Sequence, residues 1–133
     1  AEIPALIKEA AKKGDVDGMK ALFEEGEPHG IAIDIQDESG YTPLYTSTMY
    51  GKEDTVAECI KMGAKVDLQN NNGVTPLMAA ARDGFTAIVK LLLAAGADFN
   101  QVDEFGRTAD SVADEKGFPE TRDAVKEFAE AAK

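Results

Sequence analysis

The chain has 133 residues, 44% of them hydrophobic, which is one domain's worth of polypeptide with enough apolar material to bury a continuous core. Fourteen Lys and Arg face 25 Asp and Glu, so the formal charge is -11 and the isoelectric point about 4.4, a balance repelled by phosphate backbones and anionic lipid surfaces. Apolar runs such as residues 88–95, interrupted by Lys90, fall far short of the roughly 20 residues that cross a bilayer.

The chain opens with Ala1-Glu2 rather than Met. A small first residue is what cleavage of an export signal commonly leaves, so an exported, periplasmic chain is the leading expectation and a cytoplasmic one the alternative.

Self-comparison along the chain gives a period of 33: Gly40, Gly73 and Gly106 keep it, as do Thr42, Thr75 and Thr108, then Gly51, Gly84 and Gly117. The copy from Asp37 to Gln69 carries Gly-Tyr-Thr-Pro-Leu and, later, Gly-Ala-Lys-Val-Asp. Residues 70–102 repeat that skeleton most clearly. There Thr75 is suited to cap a helix and Pro76 to fill its first position, where a missing N–H costs nothing. Leu77, Met78 and Ala79 to Ala81 make that helix short and narrow, and Gly84 supplies the left-handed residue that ends it. Next, Ile88, Val89, Leu92 and Leu93 form an apolar stripe at helical spacing that stops at Gly96. Ala97-Asp98-Phe99-Asn100 then leads into a polar stretch ending at Gly106, read as an extended loop or hairpin. In the last copy Asp110 stands where Leu44 and Leu77 stand, and Ala124, Val125 and Phe128 predict a stripe displaced by about a turn.

Gly-x-Thr-Pro-Leu, the mid-repeat Gly, the Ile-Val-x-x-Leu-Leu stripe and Gly-Ala-Asp-x-Asn together resemble the ankyrin repeat family. The resemblance implies an all-α repeat fold, an α-solenoid of helix-turn-helix units joined by hairpin loops. It implies a single domain, 1–133, with an N-cap over 1–36, repeats at 37–69 and 70–102, and a C-cap over 103–133. Terminal units of such an array have one face in water and must be polar there. The first unit keeps the family's order through Ala5-Leu6-Ile7, Ala10-Ala11, Gly14, Met19, Leu22, Phe23 and Gly26, without Thr-Pro-Leu. It departs by four extra residues between Gly26 and Asp34, where Pro28, His29 and Gly30 enlarge the connecting loop. Tyr45 and Met78 replace the family's histidine after Thr-Pro-Leu. Thr46-Ser47-Thr48 replaces the alanines at 79–81 and lowers helix propensity by about tenths of a kcal/mol per residue.

Chemistry finds little footing. Cys59 alone cannot close an intramolecular disulfide, and His29 alone cannot build a Cys/His metal site or complete a triad. Cys59 aligns with Leu92 and reads as a small core residue, and His29 as an exposed loop group. The acidic runs Asp15/Asp17, Glu24/Glu25/Glu27 and Asp114/Glu115 lack the alternating ligands of a calcium loop and read as solvated helix ends. No phosphate-cradling glycine motif occurs. The expectation is therefore no catalytic residue, cofactor or metal, and a function in binding.

Carrying the family's contact positions onto this chain gives a concave face built from loop tips and first helices. It comprises Lys12 and Lys13; Glu38, Ser39, Tyr41, Met49 and Tyr50; Asn71, Asn72, Val74, Arg82 and Asp83; and Glu104, Phe105, Arg107, Glu115 and Lys116. Tyr41, Met49, Tyr50 and Phe105 are expected to face solvent as an anchoring patch. Net charge runs -4, -3, 0 and -4 along the four copies, so a basic protein is the expected partner, with the chain a monomer that needs no nucleic acid or membrane. The leading functional expectation is a stoichiometric inhibitor or immunity-type protein covering a partner enzyme such as an exported hydrolase. The alternative is a cytoplasmic scaffold or adaptor that binds a basic partner without inhibiting it.

Overall fold

The computed structural model describes residues 2–133, with the side chains of all of these except Glu2 and His29. The described residues form eight α-helices and no strand: α1 (Glu2–Lys13), α2 (Val16–Gly26), α3 (Pro43–Met49), α4 (Glu53–Lys61), α5 (Pro76–Arg82), α6 (Thr86–Ala94), α7 (Ala109–Glu115) and α8 (Pro119–Ala131). They fall into two compact units, Ala1–Lys65 and Val66–Lys133. In the first, α1 pairs with α2 and α3 with α4, while α1 also packs on α3 and α2 on α4. The second repeats this plan with α5/α6 and α7/α8. Each unit is thus two layers, one of first helices and one of second helices.

The short first helices start as their sequence requires. Thr42 and Thr75 accept hydrogen bonds from the amides of Tyr45 and Met78 at 3.0 and 3.3 Å, with Pro43 and Pro76 in the first turn. The last of them lacks proline, and there the Ser111 hydroxyl accepts from the Thr108 amide at 2.9 Å. Gly84 ends the α5 turn with φ at 72°, a conformation that L side chains resist, and an added Cβ would lie 2.5 Å from the Phe118 ring.

Burial follows the repeat. Ile88, Val89, Leu92 and Leu93 are all buried along α6, and Met19 with Phe23, then Val56 with Cys59, fill the same layer in the other unit. The last helix corrects the expected register. Its buried residues are Thr121 and Val125, which stand at the undisplaced positions of Ile88 and Leu92, whereas Phe128 is 38% exposed and meets Phe99 edge-on with centroids 6.3 Å apart. A polar residue can hold the buried position because the Thr86 and Thr121 hydroxyls share a 2.7 Å hydrogen bond.

The connecting loops are tight turns rather than paired strands. Asp37, Asn70 and Asp103 each donate a backbone hydrogen bond to the residue four further on, Tyr41, Val74 and Arg107. The amides that would continue a ladder are taken by the corner residue's own side chain, as described below. In the enlarged first loop a 3-10 turn, Glu27–His29, continues from α2 and is closed by Gly30 at φ 79°. The expectation for the His29 side chain lies outside the described residues.

Candidate partner-binding surface

In the first unit, the Asp37 carboxylate accepts from the Ser39 and Tyr41 amides, both at 2.9 Å, and meets Lys8 Nζ at 2.6 Å. These bonds fix the turn and leave Glu38 and Ser39 exposed at its tip. Burial alone would raise the Asp37 pKa, but the Lys8 ammonium and the two amides bring it below the ordinary carboxylate value. Tyr41 does not stand out as an anchor. It is half-buried, stacked on the buried Tyr45 with centroids 4.7 Å apart and planes 12° off parallel, and Lys8 Nζ lies 5.7 Å from its ring centroid. Met49 is likewise half-buried. Both depart from the expectation of solvent-facing groups, Tyr41 because Tyr45 and Lys8 cover it. Tyr50 meets that expectation at 46% exposure, with Lys12 Nζ 5.6 Å from its ring centroid, and Lys13 is exposed.

The second unit builds two such turns. Asn70 Oδ1 accepts from the Asn72 and Val74 amides at 2.8 and 3.1 Å, leaving Asn71 and Asn72 exposed and Val74 half-buried. Asp103 Oδ1 accepts from the Phe105 and Arg107 amides at 2.9 Å each. Burial pushes the Asp103 pKa up, and these amides together with the Arg107 side chain more than reverse it. Phe105 sits at the tip, 74% exposed, beside exposed Glu104. Arg107 is drawn inward: its guanidinium lies 5.3 Å from the Phe105 centroid and reaches Asp103 at 3.0 Å and Glu115 at 3.1 Å. Arg82 and Asp83 form a looser pair at 3.7 Å, and Lys116 is exposed.

The structure therefore brings together Phe105, Arg107 and Glu115 in one unit, and Lys12 with Tyr50 in the other. The turn organisers Asp37, Asn70 and Asp103, and the covering residues Lys8 and Tyr45, were absent from the expected surface. The signal for the first three lay in the period itself, since they recur 33 residues apart, each three before a glycine. Asp34 and Asp67 share that spacing and act alike, accepting from the Lys65 and Asp98 amides at 3.0 Å.

Cys59 is fully buried, 3.9 Å from the Met19 sulfur, and burial pushes its thiol up to about 12, so it carries no thiolate at neutral pH. Among the described residues no group of three or more His, Cys, Asp or Glu side chains is placed to hold a metal ion, and no helix is long and apolar enough to cross a membrane.

The family profile described as ankyrin repeats (3 copies) matches residues 7–117, most of the chain. The chain belongs to the ankyrin repeat family. A search of curated proteins returned no match. Ankyrin repeats are a protein–protein interaction module, and a typically non-enzymatic one. In this ankyrin repeat protein the turns organised by Asp37, Asn70 and Asp103 leave Glu38, Ser39, Asn71, Asn72, Glu104 and Phe105 exposed.

Proposed function

We propose that this ankyrin repeat protein is a stoichiometric binder of a basic protein, acting as an inhibitor or immunity-type protein that covers the active site of a partner enzyme such as a hydrolase. The observation that carries the reading is Phe105, a large apolar side chain 74% exposed on a turn already fixed by the Asp103 carboxylate. An apolar group presented on a rigid turn loses little freedom on binding, which is what an interface anchor requires. Tyr50 supplies a similar group in the other unit, while Tyr41 and Met49 serve as flanks rather than anchors. The exposed tip residues Glu38, Ser39, Asn71, Asn72 and Glu104 form the polar rim in this reading, and the -11 formal charge speeds association with a basic partner. The protein acts as a monomer with four copies, divided after residues 36, 69 and 102; a helix pair in each copy and an organised turn in the last three support that division.

The test uses the full chain as bait, identifies a captured enzyme, and titrates its activity. Inhibition should saturate at one equivalent. Phe105→Ala should weaken binding at least about tenfold, roughly 1.4 kcal/mol, with Tyr50→Ala next, and association should slow as salt rises. A captured enzyme that stays fully active at saturation would replace inhibition with the adaptor reading. Unchanged affinity in both variants would move the interface elsewhere.

A further inference from the structure

The second-helix layer of the first unit carries a cleft of ≈ 580 Å³ that the turn tips do not touch. Its apolar lining comes from Phe23 of α2, from Ile31 and Ile33 of the enlarged loop, and from Met62 just after α4. Three carboxylates, Glu24, Glu27 and Glu58, share the lining with a single cation, Lys20. None of these four charged side chains forms an ion pair or side-chain hydrogen bond among the described residues.

The four-residue insertion makes this cleft. Its Gly30 and Ile31 amides donate to the Glu27 and Gly26 carbonyls at 3.0 and 3.2 Å. Ile31 packs so closely on Gly26 that an added Cβ there would sit 3.0 Å from the Ile31 side chain. The loop is thereby pinned against the end of α2, and its apolar side chains stay half-exposed instead of closing over the core.

Local electrostatics favours an incoming cation. The last turn of a helix exposes carbonyls with partial negative charge, and basic residues belong there. α1 ends in Lys12 and Lys13, α4 in Lys61 and α5 in Arg82. α2, α3, α6, α7 and α8 have no basic residue in the last turn, and two of these, α2 and α7, end in adjacent acids. In α7 those acids, Asp114 and Glu115, are answered by Arg122 and Arg107, whereas in α2 Glu24, with Glu27 just beyond it, is answered by no ion pair among the described residues. Acid placed where the helix itself opposes it is a cost to the fold, and such local violations are expected at functional sites.

We propose that this cleft is a second docking site, independent of the turn tips, for a protein segment carrying an arginine or lysine beside an aliphatic or aromatic side chain. The apolar side chain enters between Phe23, Ile31, Ile33 and Met62, and the cation meets the three carboxylates. Arginine suits it better than lysine, because guanidinium is more weakly hydrated and lies flat on apolar surface.

The test is a titration of the full-length, nitrogen-15-labelled chain with the peptide acetyl-Leu-Arg-Leu-Arg-Leu-amide, followed by amide chemical shifts. Saturable shifts should concentrate at residues 23–33 and 58–62. The Glu24→Gln/Glu27→Gln/Glu58→Gln variant should weaken binding at least about tenfold. Lys20→Gln, which keeps the carboxylates and removes the one cation, should tighten it, and this second variant reads the site even if the triple variant folds poorly. Phe105→Ala should leave these shifts unchanged, so failure of the turn-tip reading is distinguishable from failure here. Shifts spread over every acidic segment and insensitive to both variants would overturn the proposal. So would identical shifts with calcium chloride alone, which would make the site a cation site, or no shifts with the peptide at all.

Discussion

Helices α3 and α5 occupy the same place in successive repeats and are equally buried, yet one is built with hydroxyls and the other with methyl groups. Thr46, Ser47 and Thr48 are each at most 1% exposed, as are Ala79, Ala80 and Ala81. What the two helices share is the frame: a threonine that caps, a proline in the first turn, and a left-handed glycine soon after the end. Geometry in this fold is thus set at the ends of helices, and the interior accepts small side chains with or without a hydroxyl. Ser47 answers its hydroxyl by donating to the Pro43 carbonyl at 2.8 Å. Thr48 does not, and its hydroxyl oxygen is the unpartnered buried side-chain atom among the described residues.

The second helices carry the comparison further and give the largest expected effect. Leu92 in α6 and Cys59 in α4 are both fully buried at equivalent positions. Leu92→Ala should destabilise the chain by about 2–5 kcal/mol, and Cys59→Ala, which empties less volume, by clearly less. Chemical denaturation of both variants checks this; equal losses would mean that the two layers are not packed to the same standard. Glycine gives the next effect. Gly84 and Gly117 stand 33 residues apart with φ at 72° and 85°, but only Gly84 faces a neighbour, the Phe118 ring. Gly117→Ala should cost about 1 kcal/mol from backbone strain alone, and Gly84→Ala about 2–3 kcal/mol because the ring must also move. If the melting temperatures of the two variants coincide, the ring contact contributes nothing.

The repeated frame was readable in the sequence because each of its parts is a local rule: cap, proline, glycine and apolar stripe lie within one turn of what they control. The displaced stripe expected for α8 holds at Val125 and fails at Phe128, which is 38% exposed. The period, carried forward from Ile88 and Leu92, points instead to Thr121 and Val125, and a threonine is credible in a core only once its partner Thr86 is known. Tyr41 was read as exposed for a similar reason. Its stacking partner is four residues further on in a helix, and the cation beside it, Lys8, comes from another repeat. Contacts formed across repeats leave no trace in spacing, whereas the turn corners at 37, 70 and 103 did and were overlooked.

The difference between α3 and α5 can also be sharpened from the polar side. Thr48→Val keeps the shape and the β-branch while removing the unanswered hydroxyl, and should stabilise the chain by about 1 kcal/mol. Ser47→Val has the opposite sign, since it discards a satisfied hydrogen bond and adds bulk to a packed site. Thermal melts of the two variants moving in the same direction would show that the Thr48 hydroxyl has a partner after all.

The smallest effect separates the turns themselves. Asp37 and Asp103 hold their turns with carboxylates, while Asn70 makes the same pair of bonds with an amide oxygen that does not titrate. Burial works against both carboxylates, but their amide and cation partners hold the folded pKa below the unfolded value of about 3.9. Ionisation therefore favours the folded state above that value, and the contribution is lost as pH falls below it through the depressed folded pKa. Amide chemical shifts of Phe105 and Arg107 should change in that acid window, as should those of Ser39 and Tyr41, while Asn72 and Val74 stay put. Asp103→Asn should keep its turn at neutral pH, as Asn70 does, lose the ion pair with Arg107, and abolish the acid response of Phe105. Parallel titration of the Asn72 amide would show instead that the whole chain loosens in acid, and that the corner carboxylates are passengers rather than the cause.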